Sequence, residues 1–429
     1  MVRRPEYRRA LVFCAVIGIP VSLVAFWFLA ALHELQHLVW TEWPRHLGHH
    51  EPPWWWPFAP FAAAGLAVAA IVGRLPGHGG HVPAGGLSAA GTTPAALPGV
   101  ILAAACSLPL GAVLGPEAPL IALGGGLALL LRDLARVPAT PQGSALLSAA
   151  GSAAAISAIF GNPLVGAVLL MEVVGVGGPR LFAVILPALL ASGVGAIVFS
   201  GFGHWTGFRT GSLSMSLPAP PTLDTGDVVW TVLIGIVVGA AVHLLLVGGR
   251  FTARLTARAL HRTTLLCALG AGGCAAAFAG LTRHSPAEVA LSGQAALSDL
   301  AAHPHAWSVG ALVAVLAFKG LAYALCLGSL RGGAIFPALF LGGAAGVLLA
   351  PLPGLGLVPG MAAGMAAAAA AALRLPVSSV VLVSLLLGHT GSITVVVLGT
   401  VTSFVTAQLL PRGPSVPAFA PPAPRPGAG

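Results

Sequence analysis

Apolar residues run in long, nearly uninterrupted blocks, and the polar residues gather between them. Residues 11–32, 58–73, 97–114, 181–199, 228–247, 265–281 and 309–327 form such blocks. Each is long enough, or nearly so, to cross roughly 30 Å of hydrocarbon as a helix. The pattern predicts an all-α polytopic membrane protein, a multi-span bundle and not a single anchor. Glycine and proline cut into it, with 57 and 36 occurrences in 429 residues, far too many for plain continuous spans. The helices are therefore expected to be short, tilted or broken. Backbone left unpaired at a break is tolerated at membrane depth only where it is buried in protein or lines a water-filled cavity.

The breaks recur in an internal repeat. Pro119-Leu-Ile-Ala-Leu-Gly-Gly125 reads like Pro337-Ala-Leu-Phe-Leu-Gly-Gly343, and a glycine-containing turn precedes each. About forty residues later, Ala153-Ala-Ala with Pro163-Leu-Val-Gly-Ala-Val-Leu169 parallels Ala366-Ala-Ala with Pro376-Val-Ser-Ser-Val-Val-Leu382. The offsets are 218 and 213 residues, too close for coincidence of composition. The chain divides into a first transmembrane half (1–200), a connecting loop rich in Gly, Ser, Thr and Pro (201–227), a second half (228–410) and a Pro- and Ala-rich disordered tail (411–429), with no regulatory domain expected after it. Broken helices in corresponding places of two halves point to a binding site near the bilayer midplane, where the turns meet.

Composition sharpens this picture. Only 7% of residues are charged against 57% apolar, whereas a soluble domain carries about a quarter charged. The net charge of +9 would suggest nucleic acid in a soluble domain, but every basic residue except Lys319 is Arg and most sit in connections. Arg3, Arg4, Arg8 and Arg9 place the N-terminus in the cytoplasm, ahead of a retained first span, and Arg250, Arg254, Arg258 and Arg262 mark another cytoplasmic connection. Nucleic acid is not an expected partner; anionic lipid is. Cys14, Cys106, Cys267, Cys274 and Cys326 lie in apolar segments without CxxC spacing, so neither a disulfide framework nor a zinc site is indicated and no cofactor is expected.

Three turns carry candidate chemistry. Glu117 sits in Gly115-Pro-Glu-Ala-Pro119 with a helix following, which puts its carboxylate at a helix start. Free backbone N–H groups and the positive end of the helix dipole attract anions there, and a tethered glutamate can take the place of one. An ordinary acidic cap is the plain alternative, but an ionisable residue inside a span is a functional candidate by default. The candidate anion site comprises Gly115, Pro116 and Ala118 beside this gate, Gly79, Gly80 and His81 from the turn Gly77-His-Gly-Gly-His-Val-Pro83, and Gly333, Ala334, Ile335 and Phe336 from the turn that opens the matching helix of the second half. Glu172, near the end of an apolar helix, is a candidate proton relay or an interfacial acid. His46, His49, His50, His78, His81, His303 and His305 fall in connections and rank below it as proton carriers.

His33-Glu-Leu-Gln-His37 matches H-E-x-x-H, which on a helix turns two imidazoles to one face for zinc with the glutamate as general base. An intramembrane zinc metalloprotease using His33, Glu34 and His37 is therefore the alternative reading. It needs a third protein ligand, for which His46, His49, His50 or Glu51 could serve. The bland account makes these residues the wet end of the first span, beside an aromatic belt of Trp40, Trp43, Trp54, Trp55 and Trp56.

Taken together, these motifs resemble the CLC chloride channels and proton-coupled chloride antiporters over nearly the whole chain. Gly115-Pro-Glu-Ala-Pro119 is similar to the family's G-[KR]-E-G-P, Gly333-Ala-Ile-Phe-Pro337 to its G-x-F-x-P, and Gly79-Gly-His-Val-Pro83 stands in the place of G-S-G-I-P. The stretch 153–172, with Phe160-Gly-Asn-Pro-Leu-Val-Gly, resembles A-A-x-F-N-A-P-L-A-G. The resemblance implies an inverted-repeat fold of tilted, broken helices, a homodimer with one anion pathway per subunit, and cytoplasmic termini. It implies transmembrane passage of monovalent anions, chloride first among the candidates, and no enzymatic activity. Glu117 takes the position of the gating glutamate, which competes with anions and swings aside when protonated.

This sequence also departs from the pattern. Gly80 replaces the motif serine, the phenylalanine is displaced to Phe336, and the anion-coordinating tyrosine of the last helix has no counterpart, since the tyrosines are Tyr7 and Tyr323. At the internal proton-transfer glutamate the gapless alignment puts Val173, with Glu172 one residue earlier and so rotated by about 100 degrees on a helix. Channel against antiporter stays open, as does fluoride, because fluoride-exporting members vary at the same positions. Without the serine and tyrosine hydroxyls, an anion is expected to rest on backbone N–H groups and helix dipoles alone, which predicts a loosely selective, weakly binding site.

Overall fold

A computed structural model describes residues 5–87, 92–175, 179–207, 215, 224–388 and 390–417. Arg3, Arg4, most of the connecting loop and residues 418–429 lie outside these. The helices in chain order are α1 (Pro5–His37), α2 (Trp43–His46), α3 (Phe58–Arg74), α4 (Leu97–Ser107), α5 (Glu117–Leu134), α6 (Pro141–Phe160), α7 (Pro163–Val174), α8 (Pro179–Thr206), α9 (Thr225–Arg258), α10 (Leu260–Thr282), α11 (Gln294–Ala302), α12 (Val309–Ser329), α13 (Ile335–Leu349), α14 (Leu357–Leu373), α15 (Pro376–Leu387) and α16 (Ile393–Leu409). The described residues contain no strand, only one isolated bridge.

Local chemistry explains where the helices begin and end. Proline occupies the first position of α6, α7 and α15, where its missing N–H costs nothing. Thr140 caps α6 through the Gly143 N–H (3.1 Å), Asn162 caps α7 through the Leu164 N–H (2.9 Å), and Asp224 and Asp227 form a reciprocal capping box at α9. Gly161 and Gly175 end α6 and α7 in the left-handed conformation.

Among the described residues, six stretches are long and apolar enough to cross a membrane: Tyr7–His46, Pro141–Phe160, Leu181–Gly203, Thr225–Arg258, Leu260–Thr282 and Val309–Ser329. Seven further apolar helices are shorter, at 10–17 residues. The protein is thus an integral, multi-pass, all-α membrane protein with short, broken helices. Three expectations need correction. The block 97–114 is no single crossing, because α4 stops at Ser107 and the chain turns before α5 starts at Glu117. Helix α8 runs on through 201–206, into the stretch expected to be loop. Residues 411–417 do not behave as a tail without structure: His243 Nε2 lies 3.1 Å from the Pro411 carbonyl, and Arg254 Nε donates to the Ser415 carbonyl at 3.2 Å, so the segment lies along α9.

The repeat is visible in the packing. Pro119 and Pro337 are each the third residue of their helix, α5 and α13, and Pro163 and Pro376 each open theirs. Helices α5 and α6 cross so closely that a Cβ on Gly124 would fall on the Gly151 carbonyl, and α13 and α14 cross in the same way at Gly342 and Gly364. These glycines stand at the same 218- and 213-residue offsets as the sequence repeat. Lipid provides no hydrophobic drive between helices, so tight backbone approach over small residues is what holds such pairs together.

Candidate functional site

The two halves meet at their repeated turns. Gly115 and Gly333 exchange backbone hydrogen bonds, Gly115 N–H to the Gly333 carbonyl at 2.8 Å and Gly333 N–H to the Gly115 carbonyl at 2.6 Å. This antiparallel bridge sets the N-terminus of α5 against the N-terminus of α13. Glu117, the first residue of α5, is fully buried in that junction. Its Oε1 accepts the N–H of Ile335, the first residue of α13, at 2.5 Å. Its Oε2 is buried with no hydrogen-bond partner among the described residues. The carboxyl therefore sits at a helix N-terminus of the opposite half, where free amides and the helix dipole favour negative charge.

The remaining expected site residues fall around this carboxyl in two groups. Pro116 is the N-cap of α5 and Ala334 that of α13, so α13 opens at Ile335, two residues later than its glycine turn. Phe336 is fully buried and stacks on Phe160, ring centres 5.5 Å apart, which ties the α13 start to the end of α6. Gly79, Gly80 and His81 do not touch the carboxyl. They form one wall of a cavity of about 570 Å³ whose other walls include Ala118, Pro119, Ser148, Ser152 and Arg331. A void of about 10 Å³, the room of roughly one water, is bounded by His81, Ala118, Gly333, Ala334 and Ile335. His81 and Ala118 thus line both spaces. His81 is exposed and contributes to the lining of both spaces.

Two residues that matter here carry no site role in the sequence reading. Tyr323, on α12, is fully buried and donates to the Ala334 carbonyl at 2.8 Å, fixing the turn that presents the Ile335 amide. Arg331, 2% exposed, lines the cavity two residues before Gly333. An arginine inside an apolar stretch was the available signal for it.

Glu172 is placed elsewhere. From the last turn of α7 its carboxylate takes the Val377 N–H (3.1 Å), the Ser378 N–H (2.7 Å) and the Ser378 hydroxyl (2.6 Å), so it caps α15 of the other half. His33, Glu34 and His37 lie in the last turns of α1, and His37 Nε2 stands 3.8 Å from Glu42. No group of three or more His, Cys, Asp or Glu side chains that could hold a metal gathers among the described residues, so the protease reading gains no third ligand. The aromatic belt is divided: Trp43, Trp54 and Trp55 are exposed, whereas Trp56 is buried and Trp40, also buried, donates to the Pro109 carbonyl at 2.9 Å.

Comparison with known proteins bears directly on this arrangement. The family described as voltage gated chloride channel matches residues 77–408. The chain belongs to this CLC family. Putative ion-transport protein YfeO of Escherichia coli (strain SMS-3-5 / SECEC) is 29% identical over 340 residues, covering 78% of this chain and 77% of that protein, and YfeO of Escherichia fergusonii matches equally. Among solved structures, a slow cyanobacterial Cl⁻/H⁺ antiporter superposes with a TM-score of 0.75 at 19% identity, over 93% of this chain and 94% of that one. A CLC-type fluoride/proton antiporter gives 0.73 at 18% identity, over 94% and 96% of the two chains. This CLC protein accordingly has the CLC fold, with its head-to-head helix starts at the join of the two halves, and its business is ion transport.

Proposed function

We propose that the protein passes monovalent anions, chloride first among the candidates, across the bilayer, with Glu117 as the gate. One observation carries this reading: a fully buried carboxylate held in a helix N-terminus of the opposite half, with one oxygen on the Ile335 amide and the other without a partner. A buried polar atom left unpartnered costs stability, and a seat that an anion takes when the side chain leaves gives that cost a purpose. The neighbouring cavity is the approach to the seat. Arg250 donates to the Ala84 carbonyl and Arg254 to the Ser415 carbonyl, next in sequence to the cavity-lining Gly85 and Val416, and by the positive-inside rule we take this end of the cavity, with the N-terminus, as cytoplasmic. A homodimer with one pathway per subunit is part of the proposal.

The test is chloride efflux from chloride-loaded proteoliposomes. Wild-type protein should release chloride, faster as the pH falls, because protonation removes the charge that competes with the anion. Glu117→Ala should release it at a rate independent of pH. Equal efflux and equal pH dependence in both proteins would end the gate assignment. The structural relatives are proton-coupled antiporters by description; proton uptake driven by a chloride gradient would assign exchange, and efflux without it a channel.

A further inference from the structure

Two polar side chains on α12 have no counterpart in the repeat. Lys319 and Tyr323 stand four residues apart, hence on one face of the helix, and the positions 218 residues earlier, on α4, are Ile101 and Ala105. Burying an ammonium in a chain with 7% charged residues is costly unless its donors are matched. Lys319, fully buried, is matched by four successive backbone carbonyls, those of Glu288 (2.8 Å), Val289 (3.1 Å), Ala290 (3.2 Å) and Leu291 (3.2 Å). The segment between α10 and α11 is thus wrapped around one cation. The lysine stem is closely fitted as well. A Cβ on Gly293 would stand 3.0 Å from Lys319 Cε and 3.0 Å from Phe340 Cβ, and Phe340 belongs to α13.

The wrapped segment reaches the junction of the two halves. Leu291 is held at φ +66, a left-handed conformation that a leucine keeps only where its surroundings enforce it. Its N–H donates to the Gly111 carbonyl at 3.0 Å. Gly111 lies in the link from α4 to α5 at φ +113, and a Cβ on it would meet the Phe61 and Trp40 rings at 2.8 Å. Four residues on, Gly115 makes the bridge to Gly333, and Glu117 then opens α5. Across that bridge Tyr323 donates to the Ala334 carbonyl, next to the Ile335 amide that Glu117 accepts. One face of α12 therefore ties down both links, the one into α5 through Lys319 and Leu291 and the one into α13 through Tyr323.

We propose that Lys319 is a positioning residue for Glu117: through the 288–291 segment it fixes the link into α5, and with Tyr323 it makes α12 the common frame that sets the Glu117 carboxyl against the Ile335 amide. The effect on transport rests on the gate assignment above, so placement and transport are measured separately. Amide hydrogen exchange on the purified protein, followed peptide by peptide, reads placement. Lys319→Met should speed exchange across 288–293 and also across 109–115, a segment its ammonium does not bond to among the described residues. The expected factor is about ten- to a hundredfold, the equilibrium equivalent of a hydrogen bond to a charged group, while α6 keeps its wild-type protection. Lys319→Gln, with two N–H donors on a shorter stem, should show the same pattern less strongly, and it keeps the measurement open should Lys319→Met not fold. Tyr323→Phe should speed exchange at 333–336 by up to about tenfold, the size of a neutral hydrogen bond. In proteoliposomes Lys319→Met should raise chloride efflux by up to about tenfold where Glu117 is present, as its hold on the Ile335 amide loosens, and change it little in the Glu117→Ala protein. A general loss of stability would not make that distinction. Faster exchange at 288–293 alone, faster exchange throughout the chain, or an efflux change of equal size in both backgrounds would overturn the positioning role. The expected exchange pattern together with efflux that is indifferent to Glu117→Ala would support the placement and refute the gate assignment instead.

Discussion

A methyl group at Gly333 tests the gate more sharply than removal of the gate itself. A Cβ built on Gly333 lands on the carboxyl group of Glu117, against its Cδ and Oε1. The Gly333 backbone does not lie in the left-handed region, so alanine fits the main chain there and the Gly115–Gly333 bridge can persist. What must yield is the Glu117 side chain. Leaving its seat, it gives up the hydrogen bond from the Ile335 N–H at 2.5 Å. A hydrogen bond to a charged group contributes about 1.5–3 kcal/mol, and each 1.36 kcal/mol is tenfold. The clash removes the seated form, so Gly333→Ala should raise chloride efflux by up to about ten- to a hundredfold, the factor by which that hydrogen bond favours the seat in the wild-type protein, with the carboxylate chemically intact. Efflux recorded with a chloride electrode, on protein that elutes as wild type in detergent, measures this directly. Because both changes act on the same event, Gly333→Ala combined with Glu117→Ala should add little beyond Glu117→Ala alone. A folded Gly333→Ala protein with wild-type or slower efflux would refute the reasoning that Glu117 blocks the path from this seat.

Two further outcomes follow from buried polar groups. The Lys319 ammonium is fully buried, donates to the carbonyls of Glu288 (2.8 Å), Val289 (3.1 Å), Ala290 (3.2 Å) and Leu291 (3.2 Å), and lies 4.9 Å from the Phe340 ring centre. Lys319→Met should destabilise the protein by about 2–5 kcal/mol, as all four of these buried carbonyls lose the ammonium donor; an unchanged melting temperature in detergent would contradict this. Glu172→Gln should lower stability by about 1 kcal/mol, the size of a lost helix cap, and leave chloride efflux in place, whereas lost proton movement at unchanged stability would mark Glu172 as a relay.

Much of the fold was legible because membrane burial writes itself into composition and helix breaks write themselves into glycine and proline. The repeat was readable for a related reason. Residues that set a turn or a close helix crossing, such as Pro119 and Pro337 or Gly124 and Gly342, tolerate few alternatives, so the two halves retain them at matched offsets. The helix-start position of Glu117 was readable too, because Gly115-Pro116 breaks the chain just before an apolar helix. Element ends were less legible: nothing in the apolar run 97–114 reveals that α4 stops at Ser107, because tertiary packing, not local preference, decides where an apolar helix ends.

By itself, then, the amino-acid sequence determined that this is a polytopic helical membrane protein of two related halves, with an acidic group at a helix start. Only the tertiary structure decided what surrounds that group. Ile335 stands 218 residues from Glu117, Tyr323 secures the turn that presents its amide, Arg331 joins the wall formed by Gly79 to His81, and Glu172 turns to cap α15. These meetings depend on how the two halves cross, which is a property of distance in space. Periodicity along the chain records which face of a helix is apolar, but not which distant residue that face will meet.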